Sequence, residues 1–433
     1  MKEGFTYTPH HDLVTPSSPA LDAYIGEIAA MKEGAAGKYS VHESSLFLPL
    51  DEKILAEAES QGEKYVSAQL RYIVVIGIGG SNLGAKAVYD ALRGTYDPAR
   101  PQKPKLVFLD TLSHDTFRAL DELFEARVEH SEQVLINIVS KSGTTAESVA
   151  NFALLYRSLA KRLPDIASRI VATTDRDSLL WKAGEKHGWG LLAIPLPVGG
   201  RFSVFSAVGL FPLLAAGIDV REFCRGAAEM CRAITSPDET NPARRPAEEL
   251  FAAMRSGCSM VNLFYFHPEL ESLGKWERQL IAESLGKEKD VTGKTVHAGI
   301  TPLVSIGSTD LHSMAQLYFG GPRDKFTLLI RASETKGDRI PEEGPLSDIV
   351  PGLAGKETSA VMDAIYRGVS AAYKAHALPH GEVLLSTVSS HALGQYMEWR
   401  MATVMYLAKL MKVNAFDQPN VEDYKSVTKK LLQ

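Results

Sequence analysis

The stretch YIVVIGIGGSNLG at residues 72–84 decides the fold class of this chain. Five apolar residues, 72–76, lead into a turn that contains four glycines, and an alanine-rich helical pattern starts at Ala85. A strand followed by such a turn and a helix is typical of a parallel β-α-β unit. The backbone N–H groups of the turn, together with the N-terminus of the helix, can bind an anion.

The spacing of the glycines does not fit the two common nucleotide-binding loops. In the dinucleotide pattern G-x-G-x-x-G, counted from Gly77, the third glycine would stand where Asn82 is. The ATP-binding loop needs a lysine directly after its last glycine, and Ala85 occupies that position after Gly84. The turn therefore favours a different anion.

Apolar, β-rich runs alternate with amphipathic stretches along the rest of the chain. They lie at residues 106–109, 134–139, 170–174, 259–266, 303–306, 326–330 and 382–385. This alternation predicts an α/β fold of two α/β sandwich domains, each with a parallel-rich sheet flanked by helices. We place the domains at residues 1–220 and 221–433, ahead of a break rich in turn formers and charge at 236–242.

Two longer apolar patterns predict buried helices. The charge-free run between Arg201 and Asp219 is short for a bilayer and contains Pro212, so we expect a core helix. Leucine and methionine recur at three- and four-residue spacing over residues 391–413, which also predicts a core helix. Two irregular stretches, 333–344 and 351–356, are either covers for a site or solvated loops.

The composition is that of a water-soluble globular protein. Of 433 residues, 45% are apolar and 23% are charged, and the net charge of -5 disfavours a nucleic-acid partner. Three cysteines without a Cys-x-x-Cys pair, and histidines without ligand spacing, predict neither disulfides nor a metal site. The amino terminus lacks a signal-peptide pattern, so we expect a cytoplasmic protein that does not enter a membrane.

A second loop that could bind an anion follows the run at 134–139. Residues 140–145 read Ser-Lys-Ser-Gly-Thr-Thr, and Thr144 with Glu147 fits a capping box at a helix start. Hydroxyl residues at a helix start need no function, because N-caps prefer them. Two such turns at the carboxyl edge of one parallel sheet nevertheless favour a ligand there, and a compact phosphate monoester fits best.

Three further places could carry chemistry. Arg201 follows two glycines and precedes the apolar run, where it could stabilise an oxyanion or simply end a loop. Gln279 and Glu283 are four residues apart on a helical pattern, so Glu283 is a candidate general base, although most helical glutamates are only solvated. His312 lies in a turn before a helix and could act as an acid or base, which most lone histidines do not.

Five motifs in one order make the chain resemble the glucose-6-phosphate isomerase family in its shorter bacterial form. They are Gly79-Gly80-Ser81, the loop at 140–145, VGGRFS at 198–203, ESLGK at 283–287, and FDQ at 416–418 followed by Glu422 and Lys425. The resemblance implies two sugar-isomerase (SIS) α/β domains, a homodimer, and no metal or organic cofactor. It also implies reversible isomerisation of glucose 6-phosphate and fructose 6-phosphate, through ring opening and an enediolate, in glycolysis and gluconeogenesis.

The resemblance also implies roles for individual residues. The residues matching the family's phosphate site are Gly80, Ser81, Ser140, Lys141, Ser142, Thr144 and Thr145. Glu283 matches the base that moves the proton between C2 and C1, and Arg201 faces the enediolate. His312 matches the ring-opening residue and Lys425 assists at the ring oxygen. Gln279 and Gln418 match sugar contacts.

Two alternatives remain open at this point. One is a dual phosphoglucose and phosphomannose isomerase, because no residue can be assigned to the C2 hydroxyl that distinguishes the sugars. The other is a regulatory module that binds a sugar phosphate without turning it over. Such a module could lack Glu283, His312 and Lys425 and would usually carry a basic DNA-binding segment, whereas this chain has the three residues and no such segment.

Overall fold

A computed structural model describes residues 4–9, 18–32, 37–94, 97–99, 101, 104–237, 240–333, 337–345, 349–350 and 352–432. Within them the strands are β1 (Phe5–Pro9), β2 (Tyr72–Ile76), β3 (Lys105–Leu109), β4 (Val134–Val139), β5 (Ile170–Thr174), β6 (Gly190–Ala193), β7 (Met260–Tyr265), β8 (Lys287–Lys289), β9 (Thr295–Ala298), β10 (Thr301–Ile306), β11 (Lys325–Ala332) and β12 (His380–Leu385). The α-helices are α1 (Pro19–Lys32), α2 (Glu52–Tyr65), α3 (Leu83–Arg93), α4 (His114–Arg127), α5 (Ala146–Ala160), α6 (Leu179–His187), α7 (Ala207–Ala215), α8 (Val220–Ile234), α9 (Arg244–Arg255), α10 (Glu271–Leu285), α11 (Ala315–Gly320), α12 (Thr358–Ala375), α13 (Ser390–Met411) and α14 (Val421–Leu431).

The first sheet is parallel throughout and has the order β3-β2-β4-β5-β6. Its first four strands in the chain coincide with the runs predicted from the sequence. All six residues of β4 are buried, as expected for a central strand covered by helices on both faces. The short strand β6 was not predicted, because it begins with glycine and has only four residues.

The second sheet has the order β1-β12-β11-β7-β10. Four of its strands confirm the predicted runs of the second half, and they are mutually parallel. The fifth strand, β1, pairs antiparallel with β12 at the edge, so residues from the start of the chain complete the sheet of the second half. The domain boundary placed at residue 220 stays a prediction.

The two-stranded ribbon of β8 and β9 was not predicted, because Lys-Glu-Lys in β8 carries no β-rich apolar pattern.

The parallel parts of the two sheets have the same topology. In each, the first strand in the chain (β2 or β7) lies between the second (β3 or β10) and the third (β4 or β11). The connection from β2 runs to β3 on one side, and the connection from β3 crosses back to β4 on the other side of β2. The connections of β7, β10 and β11 do the same. The places between β2 and β4 and between β7 and β11 are the topological switch points, where α/β sheets generally bind ligands.

Helix α13 forms the centre of the core, as its methionine pattern predicts. Its residues 391–408 are buried, Gln395 excepted. It packs backbone to backbone on α8, since a Cβ added to Gly226 would lie 2.0 Å from the carbonyl oxygen of His391. The predicted core helix of the charge-free run is α7, and Pro212 lies inside it.

The irregular stretches of the second half are described in part. Residues 334–336 and 351 lie outside the described residues. An isolated bridge between Arg339 and Glu357 ties the described part of the first stretch to the residue before α12. In the described part of the chain, no helix is long and apolar enough to cross a membrane.

Candidate active site

The glycine turn after β2 touches the segment that carries Arg201. Gly79 has a φ of +60°, which the left-handed region allows without strain for glycine, and residues 79–81 form one 3-10 turn. A Cβ added to Gly80 would lie 2.2 Å from the carbonyl carbon of Gly200. The two glycine-rich segments can meet this closely only because neither has a side chain at the contact.

The loop after β4 lies beside this turn. A Cβ on Gly77 would lie 2.9 Å from the carbonyl oxygen of Val139, so the carboxyl ends of β2 and β4 bring both predicted anion loops together. Ser140 is buried, and its Oγ accepts a hydrogen bond from the N–H of Gly143 at 3.1 Å. The same oxygen is 2.9 Å from Oγ1 of Thr145.

The capping box predicted for Thr144 and Glu147 is wrong. Gly143 takes a positive φ of +69°, which turns the chain before the helix, and α5 starts at Ala146 with Thr145 as its N-cap. Thr144 contacts Ser142 instead, with their hydroxyl oxygens 3.2 Å apart. Both of these hydroxyls are at the surface of the loop.

Lys141 joins the second loop to the segment before Arg201. Its ammonium donates hydrogen bonds to the carbonyl oxygens of Leu196, at 2.6 Å, and Val198, at 2.9 Å. Burial lowers the pKa of Lys141, and the nearby charge of Asp175 opposes this shift. In this arrangement the lysine side chain positions the 196–198 segment.

Arg201 is the centre of the candidate site. Its side chain is only 2% exposed, and burial lowers its pKa, against the opposing charge of Glu283. The guanidinium donates to five acceptors: Oγ of Ser284 (2.9 Å), Oε2 of Glu283 (3.1 Å), Oε1 of Gln418 (3.2 Å), and the carbonyl oxygens of Ala415 (2.5 Å) and Asp417 (3.4 Å). One side chain thus connects α10 to the segment before α14.

Glu283 is held from two sides. Gln279, one helical turn earlier on α10, donates from Nε2 to Oε1 of Glu283 at 2.9 Å, and Arg201 binds the other carboxylate oxygen. The glutamate side chain remains 30% exposed. A Cβ on Gly79 would lie 3.0 Å from Nε2 of Gln279, so the glycine turn borders this pair. The carboxylate is therefore fixed in direction but open to a ligand.

Lys287 and Asp417 belong to this cluster and received no role from the sequence. The ammonium of Lys287 lies 3.1 Å from Oδ1 of Asp417 and donates to the carbonyl oxygen of Glu283 at 2.8 Å. Burial lowers the pKa of Lys287. Lys287 stands in β8, two residues after the end of α10, and its ammonium reaches back to a carbonyl group of the last helical turn.

Among the described residues, neither His312 nor Lys425 has a hydrogen bond or an ion pair with this cluster. The imidazole of His312 is exposed, and the turn that carries it is fastened to the carboxyl end of β10, where Asp310 accepts a hydrogen bond from the N–H of Ile306 at 2.8 Å. Lys425 donates to Glu422 of its own helix at 2.8 Å. Helix α14 has no buried residue.

The packing of α10 sets the separation between Glu283 and His312. Near the start of α10, a Cβ on Gly274 would lie 2.6 Å from Cγ1 of Val304, in the second half of β10. At the other end of α10, a Cβ on Gly299, before β10 begins, would lie 3.3 Å from Cα of Gly286. The helix is therefore antiparallel to β10.

Glu283 and His312 consequently lie at opposite ends of β10. Glu283 is in the last turn of α10, near the amino end of the strand, and His312 follows its carboxyl end. A six-residue strand is roughly 20 Å long at about 3.3 Å per residue. Within one chain the two side chains are too far apart to act on one sugar.

Comparisons with known proteins agree on one family. The family model described as phosphoglucose isomerase matches residues 52–433. A glucose-6-phosphate isomerase of Lactobacillus delbrueckii subsp. bulgaricus is 33% identical over 372 residues, which are 84% of this chain and 80% of the relative. One from Methanocaldococcus jannaschii is 32% identical and covers 83% of this chain and 84% of its own.

Solved structures share the fold over the full chain. A crystal structure of a hypothetical protein from Thermus thermophilus is 29% identical, with a TM-score of 0.85 and 99% of both chains covered. That of a glucose-6-phosphate isomerase from Chlamydia trachomatis has a TM-score of 0.77 at 22% identity and covers 100% of this chain and 89% of its own. The predicted fold class is thereby confirmed.

Proposed function

The chain belongs to the phosphoglucose isomerase family, and we propose that the cluster around Arg201 and Glu283 is its catalytic centre. The enzyme interconverts glucose 6-phosphate and fructose 6-phosphate. This reaction moves a proton between two neighbouring carbons and creates a negatively charged enediolate on the way. It therefore needs one base beside C1 and C2 and a cation near their oxygens.

Glu283 has the properties of that base. Each carboxylate oxygen already accepts one hydrogen bond, from Gln279 or Arg201, and each has a second lone pair left for the migrating proton. The two donors fix the carboxylate in one orientation, which spares the substrate complex the entropy of ordering it. The exposed fraction of Glu283 leaves a path for the sugar.

Arg201 has the properties of the cation. It is buried and held by fixed acceptors, so it does not have to reorganise when charge develops on the enediolate. Gln418 shares a guanidinium nitrogen with Glu283, which places a polar side chain for a sugar hydroxyl beside the base.

The two loops at the first switch point are the proposed phosphate site. The hydroxyls of Ser140 and Thr145, with those of Ser142 and Thr144 at the surface, lie at the N-terminus of α5, and Ser81 lies in the neighbouring turn. A phosphate dianion bound there would anchor the sugar far from the reacting carbons and orient it towards Glu283. Lys141 supports this site by holding the segment that leads to Arg201.

Ring opening is the step for which we propose a second chain. We assign it to His312, with Lys425 assisting at the ring oxygen, yet His312 and Glu283 lie at opposite ends of β10 in one chain. A homodimer in which His312 of one chain reaches Glu283 of the other would resolve this separation. A cytoplasmic location fits the three cysteines, which are all buried free thiols.

The observation that best supports this function is the bridge from Arg201 to both Glu283 and Gln418. The variant Glu283→Gln tests the proposed function. The amide cannot accept the proton, so we expect kcat for fructose 6-phosphate to fall by about three or more decades while KM changes little. Glu271→Gln, on the exposed side of the same helix, is the matched control. A chelator should leave the rates of the unmodified enzyme unchanged. Near-normal proton exchange at C2 in Glu283→Gln would show that Glu283 is not the base.

Mixing two inactive variants tests the shared site. Chains with Glu283→Gln and chains with His312→Ala are unfolded together and refolded. If one chain supplies the base and the other the histidine, half of the dimers regain one intact site, and about a quarter of wild-type activity returns. If both residues act within one chain, the mixture stays as inactive as its components.

A further inference from the structure

A cavity of about 350 Å³ lies at the carboxyl edge of the second sheet. Phe266 and His267, directly after β7, form one side of it, and Arg331 to Ser333, at the end of β11, form another. The first two turns of α12, with Ser359 and Asp363, close the third side. None of these residues belongs to the cluster around Glu283.

The place of this cavity in the fold corresponds to the proposed phosphate site of the first sheet. It lies at the second switch point, between β7 and β11, as the anion loops lie between β2 and β4. Ser333 directly follows β11 as Ser140 directly follows β4, and a helix begins after each loop. Since the strand order is the same, the geometry that directs ligands to one switch point is present at the other.

The charged groups at the cavity favour an anion. Arg331 forms an ion pair with Asp363, and its guanidinium lies 4.5 Å from the ring centre of Tyr366, which holds its plane in place. Asp363 is also paired with Arg367, whose Nε is 2.8 Å from Oδ2. Arg367 does not line the cavity and is 75% exposed, but it takes up part of the charge of Asp363, so that the carboxylate does not belong to Arg331 alone. Arg331 has five N–H donors, enough to bind a further acceptor while it keeps Asp363.

The start of α12 supplies neutral donors to the same cavity. Ser359 and Ala360 line it, and they lie in the first turn of the helix, whose backbone N–H groups have no partner within the helix. The N-cap residue, Glu357, makes no capping hydrogen bond with its side chain, and its Oε2 accepts a long hydrogen bond of 3.4 Å from Oγ of Ser359. His267 is 8% exposed and adds an imidazole opposite the helix.

We propose that this cavity is a second binding site, for a small phosphate monoester. An arginine with an aromatic support, two serine hydroxyls and a helix start are groups that bind phosphate, and the arginine can do so with two parallel hydrogen bonds. The volume is at the low end of the range for small-molecule sites, so a short ester fits and a dinucleotide does not. The aromatic side chains of Phe266 and Tyr366 border the space for the carbon part of the ligand.

Calorimetric titration with glycerol 3-phosphate tests this proposal on the full chain. The protein carries Ser140→Ala and Thr145→Val, which weaken the first phosphate site, so that binding at the second site can be distinguished from binding at the first. We expect Arg331→Gln in this background to raise the Kd at least tenfold. Arg339→Gln, which removes an exposed arginine paired with Glu342, should leave the Kd unchanged.

A second variant and a second readout keep the outcome interpretable. Ser333→Ala leaves the pair of Arg331 and Asp363 intact and should weaken binding several-fold, so a folding defect of Arg331→Gln cannot account for both results. In the otherwise unmodified enzyme, Arg331→Gln should leave the KM for fructose 6-phosphate unchanged. Equal Kd values for Arg331→Gln, Ser333→Ala and Arg339→Gln would overturn the proposal. A KM that changes in the variant with Ser140→Ala and Thr145→Val tests the catalytic site and not this cavity.

Discussion

Replacing Arg201 with lysine keeps the positive charge and removes most of the geometry on which the site depends. The guanidinium serves five acceptors, and an ammonium has three protons, so at least two acceptors lose their donor. A buried acceptor without a partner costs about 1–3 kcal/mol, which makes the expected loss of unfolding free energy roughly 2–6 kcal/mol. Loss of a fixed donor at a developing oxyanion lowers kcat by about 100- to 1000-fold.

Two measurements on Arg201→Lys separate these effects. Urea unfolding gives the stability, and a coupled assay for glucose 6-phosphate formed from fructose 6-phosphate gives kcat and KM. KM should change least, because the phosphate loops are untouched. Arg221→Lys is the control, since Arg221 is a 63% exposed arginine in a surface ion pair with Glu59. If Arg201→Lys unfolded at the wild-type urea concentration and kept kcat within twofold, the role of the bridge would be refuted.

Combined loss of the hydroxyls of Ser140 and Thr145, as Ser140→Ala with Thr145→Val, should raise the KM for fructose 6-phosphate about tenfold, the equivalent of one lost hydrogen bond, and weaken inhibition by inorganic phosphate in step. If inhibition by inorganic phosphate were unchanged, the loop would only begin a helix and would not bind phosphate. His312→Ala should impair turnover of the cyclic sugar phosphate far more than that of an open-chain analogue, and equal losses on both would instead assign His312 to proton transfer between the carbons. Burial raises the pKa of Glu398, a fully buried residue whose carboxyl oxygens have no hydrogen-bond partner in the described part of the chain. Its contribution to stability is therefore present below the unfolded pKa of about 4.3 and is lost as pH rises towards the folded pKa. Glu398→Gln should flatten the fall in unfolding free energy as the pH rises above about 4.3, by up to about 1.4 kcal/mol per pH unit, and an unchanged slope would contradict a protonated Glu398.

The sequence predicts most of the fold because burial leaves a periodic trace. Strands β2, β4 and β5 are buried at nearly every position, and this appears as an uninterrupted apolar run. Strands β1 and β8 leave no such trace. β1 lies at a sheet edge with a mixed burial pattern, and β8 has the sequence Lys-Glu-Lys in a separate ribbon. The partner of β1 is the distant strand β12, which local periodicity does not report, whereas β8 pairs with the nearby β9 and simply lacks an apolar run.

The candidate site was predictable only where its residues are local. Gln279 and Glu283 meet because they are four residues apart on one helix. The bridge from Arg201 to the carbonyl oxygen of Ala415 has no local signature, because any residue can supply a carbonyl group. Nor does the distance between Glu283 and His312 follow from sequence, since it depends on the direction in which α10 packs against β10.

The link between Arg201 and Ala415 spans 214 positions of the chain, and this determines when catalytic competence can arise during folding. The strands of the first sheet lie within residues 72–193 and can assemble before the distant segment arrives. Closing so long a loop is slow relative to local pairing. In a refolding experiment, secondary structure should therefore recover before enzymatic turnover, and on the ribosome the nascent chain remains inactive until the segment that contains Ala415 has been added.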